Sequence, residues 1–163
     1  MTLSEIRAAA IAPALALLPA RMSSPQAEAM LLAIGLQESG LTHRRQVGGP
    51  ARGLWQFEQG GGVRGVLLHP LSRQHALAAC EAHNVKPSAA AVYAALEHDD
   101  ILAAAFARLL LWADPAPLPA VGEVAKSWDL YVRTWRPGKP HRNRWDVCYA
   151  QAMDALAGEE VPA

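Results

Sequence analysis

The chain has 163 residues, of which 52% are hydrophobic and 18% charged, enough for one folded domain with its own core. Its 15 Lys and Arg balance 15 Asp and Glu, so no whole-protein field draws the chain to nucleic acid or to an anionic surface. Two cysteines are too few for a disulfide scaffold, and no apolar run reaches the roughly 20 residues needed to span a bilayer.

The first element is an alanine- and leucine-rich stretch over 8–20 that imitates a secretory leader in composition. Glu5 lies ahead of it, Pro13 and Pro19 interrupt it, and Leu3, Ile6, Ala10, Ala14 and Leu17 recur as one helix face. We therefore expect an intrinsic core helix and no signal peptide.

Ser24 followed by Pro25 reads as an N-cap with proline at the first helical position, and Glu28 suits the positive first turn. Ala27, Met30, Leu31, Ile34 and Glu38 share a stripe, while Leu32 and Leu36 make the opposite side apolar, so this helix is expected to be buried nearly all round. Gly40 supplies the left-handed stop, which leaves Glu38 in the final turn. Partial burial and the negative end of the helix dipole both disfavour its carboxylate, so both raise its pKa. The alternatives are a side chain turned outward or paired with Arg44 or Arg45.

Gly48, Gly49 and Pro50 mark a turn, and alternation from Leu54 to Phe57 predicts a short strand that Gly60, Gly61 and Gly62 end. A β-hairpin or turn-rich segment is thus expected around 43–58. Helices follow at about 72–83, 88–97, 99–113, 121–134 and 143–157. Asp99 and Asp100 read as caps of the third of these, 114–119 as a stiff proline-rich connector, and Gly158 as the last stop. Cys80 and Cys148 fall in helical stretches and read as reduced, buried thiols. Cys80, His83, His75 and His69 do not share one helix face, so no metal site is expected. The expected fold class is mainly α, nominally α+β, as a single domain over 1–163 with little room for a separate second module.

A helix ending in Glu38-Ser39-Gly40, a turn-rich loop with Thr42-His43-Arg44-Arg45-Gln46, then Gly53-Leu54-Trp55-Gln56-Phe57 resembles the lysozyme-like superfamily. Goose-type lysozymes and soluble lytic transglycosylases carry Glu-Ser followed by Gly-Leu-Met-Gln, and the loop is closest in character to small phage endolysins. The resemblance covers 27–62. It implies that Glu38 is the catalytic acid, that Ser39 lies beside it, and that Gln56 is a polar contact in the cleft. Trp55 stands where the family has methionine, either as a changed sugar platform or as a larger core residue. The family's Ala-Tyr-Asn-Ala-Gly-like motif is missing. Ser127-Trp128-Asp129-Leu130-Tyr131 is the nearest substitute, with Tyr131 in the tyrosine's part, although Val124, Trp128, Tyr131, Val132 and Trp135 also form an ordinary core stripe.

The substrate class so implied is bacterial peptidoglycan, cut between N-acetylmuramic acid and N-acetylglucosamine with Glu38 as general acid. Glu58 is the candidate second carboxylate of a muramidase. A lytic transglycosylase needs none, because the substrate's own 6-hydroxyl attacks. Arg44, Arg45 and Arg52 are candidate attractors of stem-peptide carboxylates. No cofactor is implied, and a monomer is expected, held in the host bacterial cytoplasm before lysis or carried on a virion. The competing classes are a non-catalytic virion structural protein and a nucleic-acid binder using the basic, tryptophan-interleaved run 133–145. Neutral overall charge argues against nucleic acid.

Overall fold

Thr2 opens the first helix with a reciprocal cap: its hydroxyl accepts from the Glu5 N–H at 3.1 Å, and its own N–H donates to the Glu5 carboxylate at 2.7 Å. In the computed structural model, which describes residues 1–160, this helix (α1) runs through Leu3–Ile6, a π-helical turn at Arg7–Ile11, and Ala12–Leu17. The widened turn comes just ahead of Pro13, whose ring lacks an N–H and would crowd the carbonyl four residues back. Ile6, Ala10, Ile11 and Ala14 are buried, so the core helix expected here is present, and Pro13 shifts its hydrogen bonds without ending it.

A single turn at Ala20–Met22 leads into α2, Pro25–Ser39. Ser24 Oγ accepts from the Ala27 N–H at 3.1 Å, Pro25 takes the first helical position, and Gly40 ends the helix at φ 65°. Ala27, Met30, Leu31, Leu32 and Ile34 are all buried, because α2 is enclosed by α1, by α6 (Asp100–Trp112) and, along most of its length, by α8 (Arg142–Glu160). Between these lie α3 (a π-helical turn at Gln59–Val63 continuing into Arg64–Leu68), α4 (Arg73–Ala82), α5 (Ala89–Leu96) and α7 (Val124–Trp135). The mainly α expectation holds. Among the described residues the β-structure amounts to two isolated antiparallel bridges, Arg45 to Arg52 and Arg52 to Phe57, within the turn-rich segment expected there. One apolar core runs from Ile6 to Ala152, and no helix among the described residues is long and apolar enough to cross a membrane.

Four local expectations are corrected. Leu54 to Phe57 is not a strand: Leu54, Trp55 and Gln56 form a turn closed by the Gln56 N–H on the Gly53 carbonyl at 3.0 Å, with Gln56 at φ 53°. The short alternation came from a turn that buries Leu54, Trp55 and Phe57 together. The triple glycine does not stop the segment either; it opens α3, where a Cβ at Gly62 would lie 2.7 Å from the Phe57 ring. Helix α7 starts at Val124 because Gly122 sits at φ 100°, which no helix accepts. Helix α8 runs through Gly158 to Glu160, since glycine permits a left-handed stop without imposing one.

The thiols of Cys80 and Cys148 are free and buried, and burial pushes both pKa values up. Asp99 caps α6 by accepting from the Leu102 N–H at 2.9 Å, and it also pairs with His83 Nδ1 at 2.7 Å. Among the described residues no group of three or more His, Cys, Asp and Glu side chains is placed to hold a metal ion.

Candidate active site

The last turn of α2 ends in a strap. Gly40 and Leu41, both left-handed, return their N–H groups to the Leu36 and Gly35 carbonyls at 3.0 and 3.2 Å. Glu38 emerges from this turn partly exposed, facing α7 and α8. Tyr131, from α7, donates its hydroxyl to Glu38 Oε1 at 2.5 Å, a contact between residues 93 positions apart. Oε2 is left without a hydrogen-bond partner among the described residues.

Tyr131 is itself held rigidly. Its ring is 2% exposed and stacks on Trp145 with centroids 5.0 Å apart and planes 9° from parallel. Trp145 is pinned by its own Nε1–H on the Val124 carbonyl at 3.2 Å. Burial and the neighbouring Glu38 charge drive the phenol's pKa far above its usual value, so Tyr131 stays a donor at any working pH.

The Glu38 pKa is raised. Loss of solvent is the dominant cause; the Tyr131 hydrogen bond and the positive charge of Arg144 oppose it, and the negative charge of Glu58 adds to it. Arg144 stands at the helix end, where its Nη2 donates to the Leu36 carbonyl at 3.1 Å. Glu58 is exposed, one residue before α3. Both carboxylates are therefore accessible, and the fold brings them within electrostatic range. Arg144 and Trp145 were missed as parts of this site. Their helical spacing indicates a core face but not which face across the molecule they meet.

Glu38 pairs with neither Arg44 nor Arg45. Arg44 makes a bidentate pair with Asp100 at 2.5 and 2.8 Å and also donates to the Glu97 carbonyl at 3.0 Å, while Arg45 pairs with the Glu97 carboxylate. Arg52 Nη1 donates to the Gly49 and Ala51 carbonyls, each at 2.9 Å, and its guanidinium stands over the Tyr93 ring. Arg44, Arg45 and Arg52, the expected substrate attractors, thus already have partners within the chain. Their side chains tie the 43–52 loop to itself and to the start of α6.

Two further substrate contacts become structural. Trp55 is fully buried; its Nε1–H donates to the Leu31 carbonyl at 2.8 Å, and its own carbonyl accepts from Trp135 Nε1 at 3.0 Å. Of the two roles open to it, the core residue holds, since a ring with no exposed surface offers no sugar platform. Ser39 is 4% exposed; its hydroxyl donates to the Leu54 carbonyl at 2.6 Å and accepts from the Leu41 N–H at 3.1 Å. It binds the end of α2 to the 53–56 turn. Removing it as Ser39→Ala leaves the Leu54 carbonyl without this partner, while the Leu41 N–H keeps the Gly35 carbonyl at 3.2 Å, and is expected to cost about 1–3 kcal/mol in urea denaturation. Gln56 remains partly exposed, with Nε2 on the Gly53 carbonyl at 2.9 Å and the rest of the amide available to a ligand. Gly53 is required beneath it: at φ 78°, a Cβ would lie 2.3 Å from the Leu96 carbonyl oxygen.

The carboxy-terminal basic run is largely exposed, with some of its charges paired at the surface. Arg133 pairs with Asp114 at 2.8 Å, Arg142 pairs with Asp146 and covers Trp128, and Trp145 is buried. This leaves few of its aromatic faces available for stacking on bases. What stands at the end of α2 is a solvent-reachable acid with a raised pKa, fixed on one oxygen by a stacked phenol and within electrostatic reach of a second carboxylate. Comparison of the chain with protein-family models, with curated proteins and with solved structures finds no match.

Proposed function

We propose that this chain cleaves the glycan strands of bacterial peptidoglycan between N-acetylmuramic acid and N-acetylglucosamine, with Glu38 as general acid. The observation that carries the proposal is the Glu38–Tyr131 pair, in which the hydroxyl occupies Oε1 and the free Oε2 can hold the transferable proton. The raised pKa keeps that proton in place at a pH where an ordinary glutamate has lost it. The motif pair Glu38-Ser39 and Gly53-Leu54-Trp55-Gln56 supports the same substrate class by resemblance.

In the muramidase form, Glu38 protonates the leaving oxygen while positive charge develops on the sugar. Glu58 then acts on the opposite face, either as base for a water or as nucleophile. Its exposure and its electrostatic coupling to Glu38 favour this reading. Tyr131 favours the second reading, a lytic transglycosylase, since it meets the acid from the segment that would stand in for the family's tyrosine motif. Mass spectrometry of purified peptidoglycan digested by the chain separates the two. Reducing-end muramic acid, lost with Glu58→Gln, indicates hydrolysis. Products lighter by one water, retained with Glu58→Gln, indicate the transglycosylase, and an undigested glycan contradicts both.

Tyr131→Phe provides a test by pH. The hydroxyl stabilises the Glu38 carboxylate, so its removal raises the acid's pKa further. Activity that requires a protonated Glu38 falls as pH rises through that pKa. The alkaline limb of the rate profile is therefore expected to move to higher pH in the variant, as read by turbidity loss of peptidoglycan suspensions across pH.

A further inference from the structure

At the opposite end of α2 lies a second feature that catalysis at Glu38 does not use. From Pro25 to Glu38 the helix rises about 20 Å, so the two places are well separated. A pocket of about 570 Å³ opens there, lined among others by Arg21, Ser24, Gln26, Arg108, Trp112 and Leu118. It joins the start of α2, the end of α6 and the proline-rich connector.

Arg108 is the unusual member. Its side chain is 3% exposed, yet it has no ion-pair partner among the described residues. Nε donates to the Met22 carbonyl at 2.8 Å, and Nη1 is buried with no hydrogen-bond partner. Burial lowers its pKa to about 10, which still leaves it charged at neutral pH. A buried guanidinium with an unfilled donor is costly unless an anion completes it. Asp114 is the one carboxylate among the pocket's lining residues, and it is committed to Arg133 at 2.8 and 3.1 Å.

The surroundings reinforce the positive sign. Arg21 and Arg108 both stand over the Trp112 ring, at 5.6 and 5.5 Å from its centroid. The lining residues Ser24 and Gln26 belong to the N-terminus of a 15-residue helix, whose dipole favours an anion. Leu111, Leu118 and the connector prolines supply an apolar wall.

We propose that this pocket binds a small oxyanion, a carboxylate or a phosphate, carried on a ligand with a short apolar body. Arg108 is its buried counter-charge, Arg21 covers it from the solvent side, and the α2 N-terminus supports it. The site is independent of the reading of Glu38.

The test uses the full chain at fixed ionic strength, following the Trp112 indole N–H by NMR while adding isovalerate, inorganic phosphate or the uncharged isovaleramide. Saturable shifts are expected with one or both anions and none with the amide. The tighter anion identifies the headgroup. Arg108→Gln is expected to weaken binding at least about tenfold, the loss of a charge-assisted bond, and the exposed Arg21→Gln by a smaller factor. Arg21→Gln, on the surface, keeps the test open should Arg108→Gln fail to fold. The proposal is overturned if neither anion gives a saturable shift, if the amide binds as well, or if the substitutions leave binding unchanged.

Discussion

Replacing Glu38 with glutamine is expected to lower peptidoglycan cleavage by about 10²- to 10⁴-fold while leaving the circular dichroism of the chain unchanged. The amide keeps an oxygen for the Tyr131 hydroxyl and fills the same volume, so the stacked Tyr131–Trp145 pair has no reason to move. What disappears is the transferable proton. Turnover of dye-labelled peptidoglycan by the two proteins measures the loss directly.

The same substitution carries a signature in stability. The folded-state pKa of Glu38 lies above its unfolded value, so the native state holds more protons in the interval between them. Wild-type stability therefore declines as pH rises through that interval and levels off above the folded value. The glutamine variant has no such decline. Its melting temperature relative to wild type is expected to rise from acidic to mildly alkaline pH. A difference that stays flat, or runs the other way, would mean that Glu38 is ionised without penalty in the native chain.

Trp55→Ala has the largest expected effect on folding. The ring is fully buried against α2, where its Nε1–H reaches the Leu31 carbonyl and a Cβ at Gly35 would come within 3.3 Å of it. Truncating a buried tryptophan costs about 3–5 kcal/mol, a large fraction of the roughly 5–15 kcal/mol by which domains are stable. The melting temperature should fall by about 10 °C or more. Trp55→Phe should lose far less, about 1 kcal/mol for the hydrogen bond together with a small packing defect. If Trp55 were a sugar platform, the alanine variant would instead melt normally and bind glycan poorly.

Helix α2 was legible in the sequence because each of its determinants is local. Ser24, Pro25 and Gly40 act within one turn of themselves, and all-round burial follows from Leu32 and Leu36 facing away from the Met30 and Ile34 stripe. The 53–57 segment was misread because four residues of alternation do not distinguish a strand from a turn whose apolar side chains all point inward. Gln56 at positive φ carries no signature in its residue type. Charges in the 44–52 loop were equally opaque. Nothing near Arg44 in the chain announces Asp100, 56 positions on, as its partner.

Tyr131 shows why the candidate site was only partly readable. Its spacing marks it as a core residue, and it is one, stacked and buried. The same packing aims its hydroxyl at Glu38. One side chain thus meets both descriptions, and periodicity records only the first. Arg144 and Glu58, the charges that pull the Glu38 pKa in opposite directions, lie 106 and 20 positions away and are joined to it only by the fold.

The account rests on Glu38 remaining protonated where exposed glutamates do not. Titrating the chain with carboxyl-labelled glutamate and following the Glu38 signal by ¹³C NMR tests this most directly. The midpoint is expected above that of the chain's exposed glutamates, and higher still in Tyr131→Phe. A Glu38 midpoint equal to or below theirs, unmoved by the loss of the phenol hydroxyl, would contradict it.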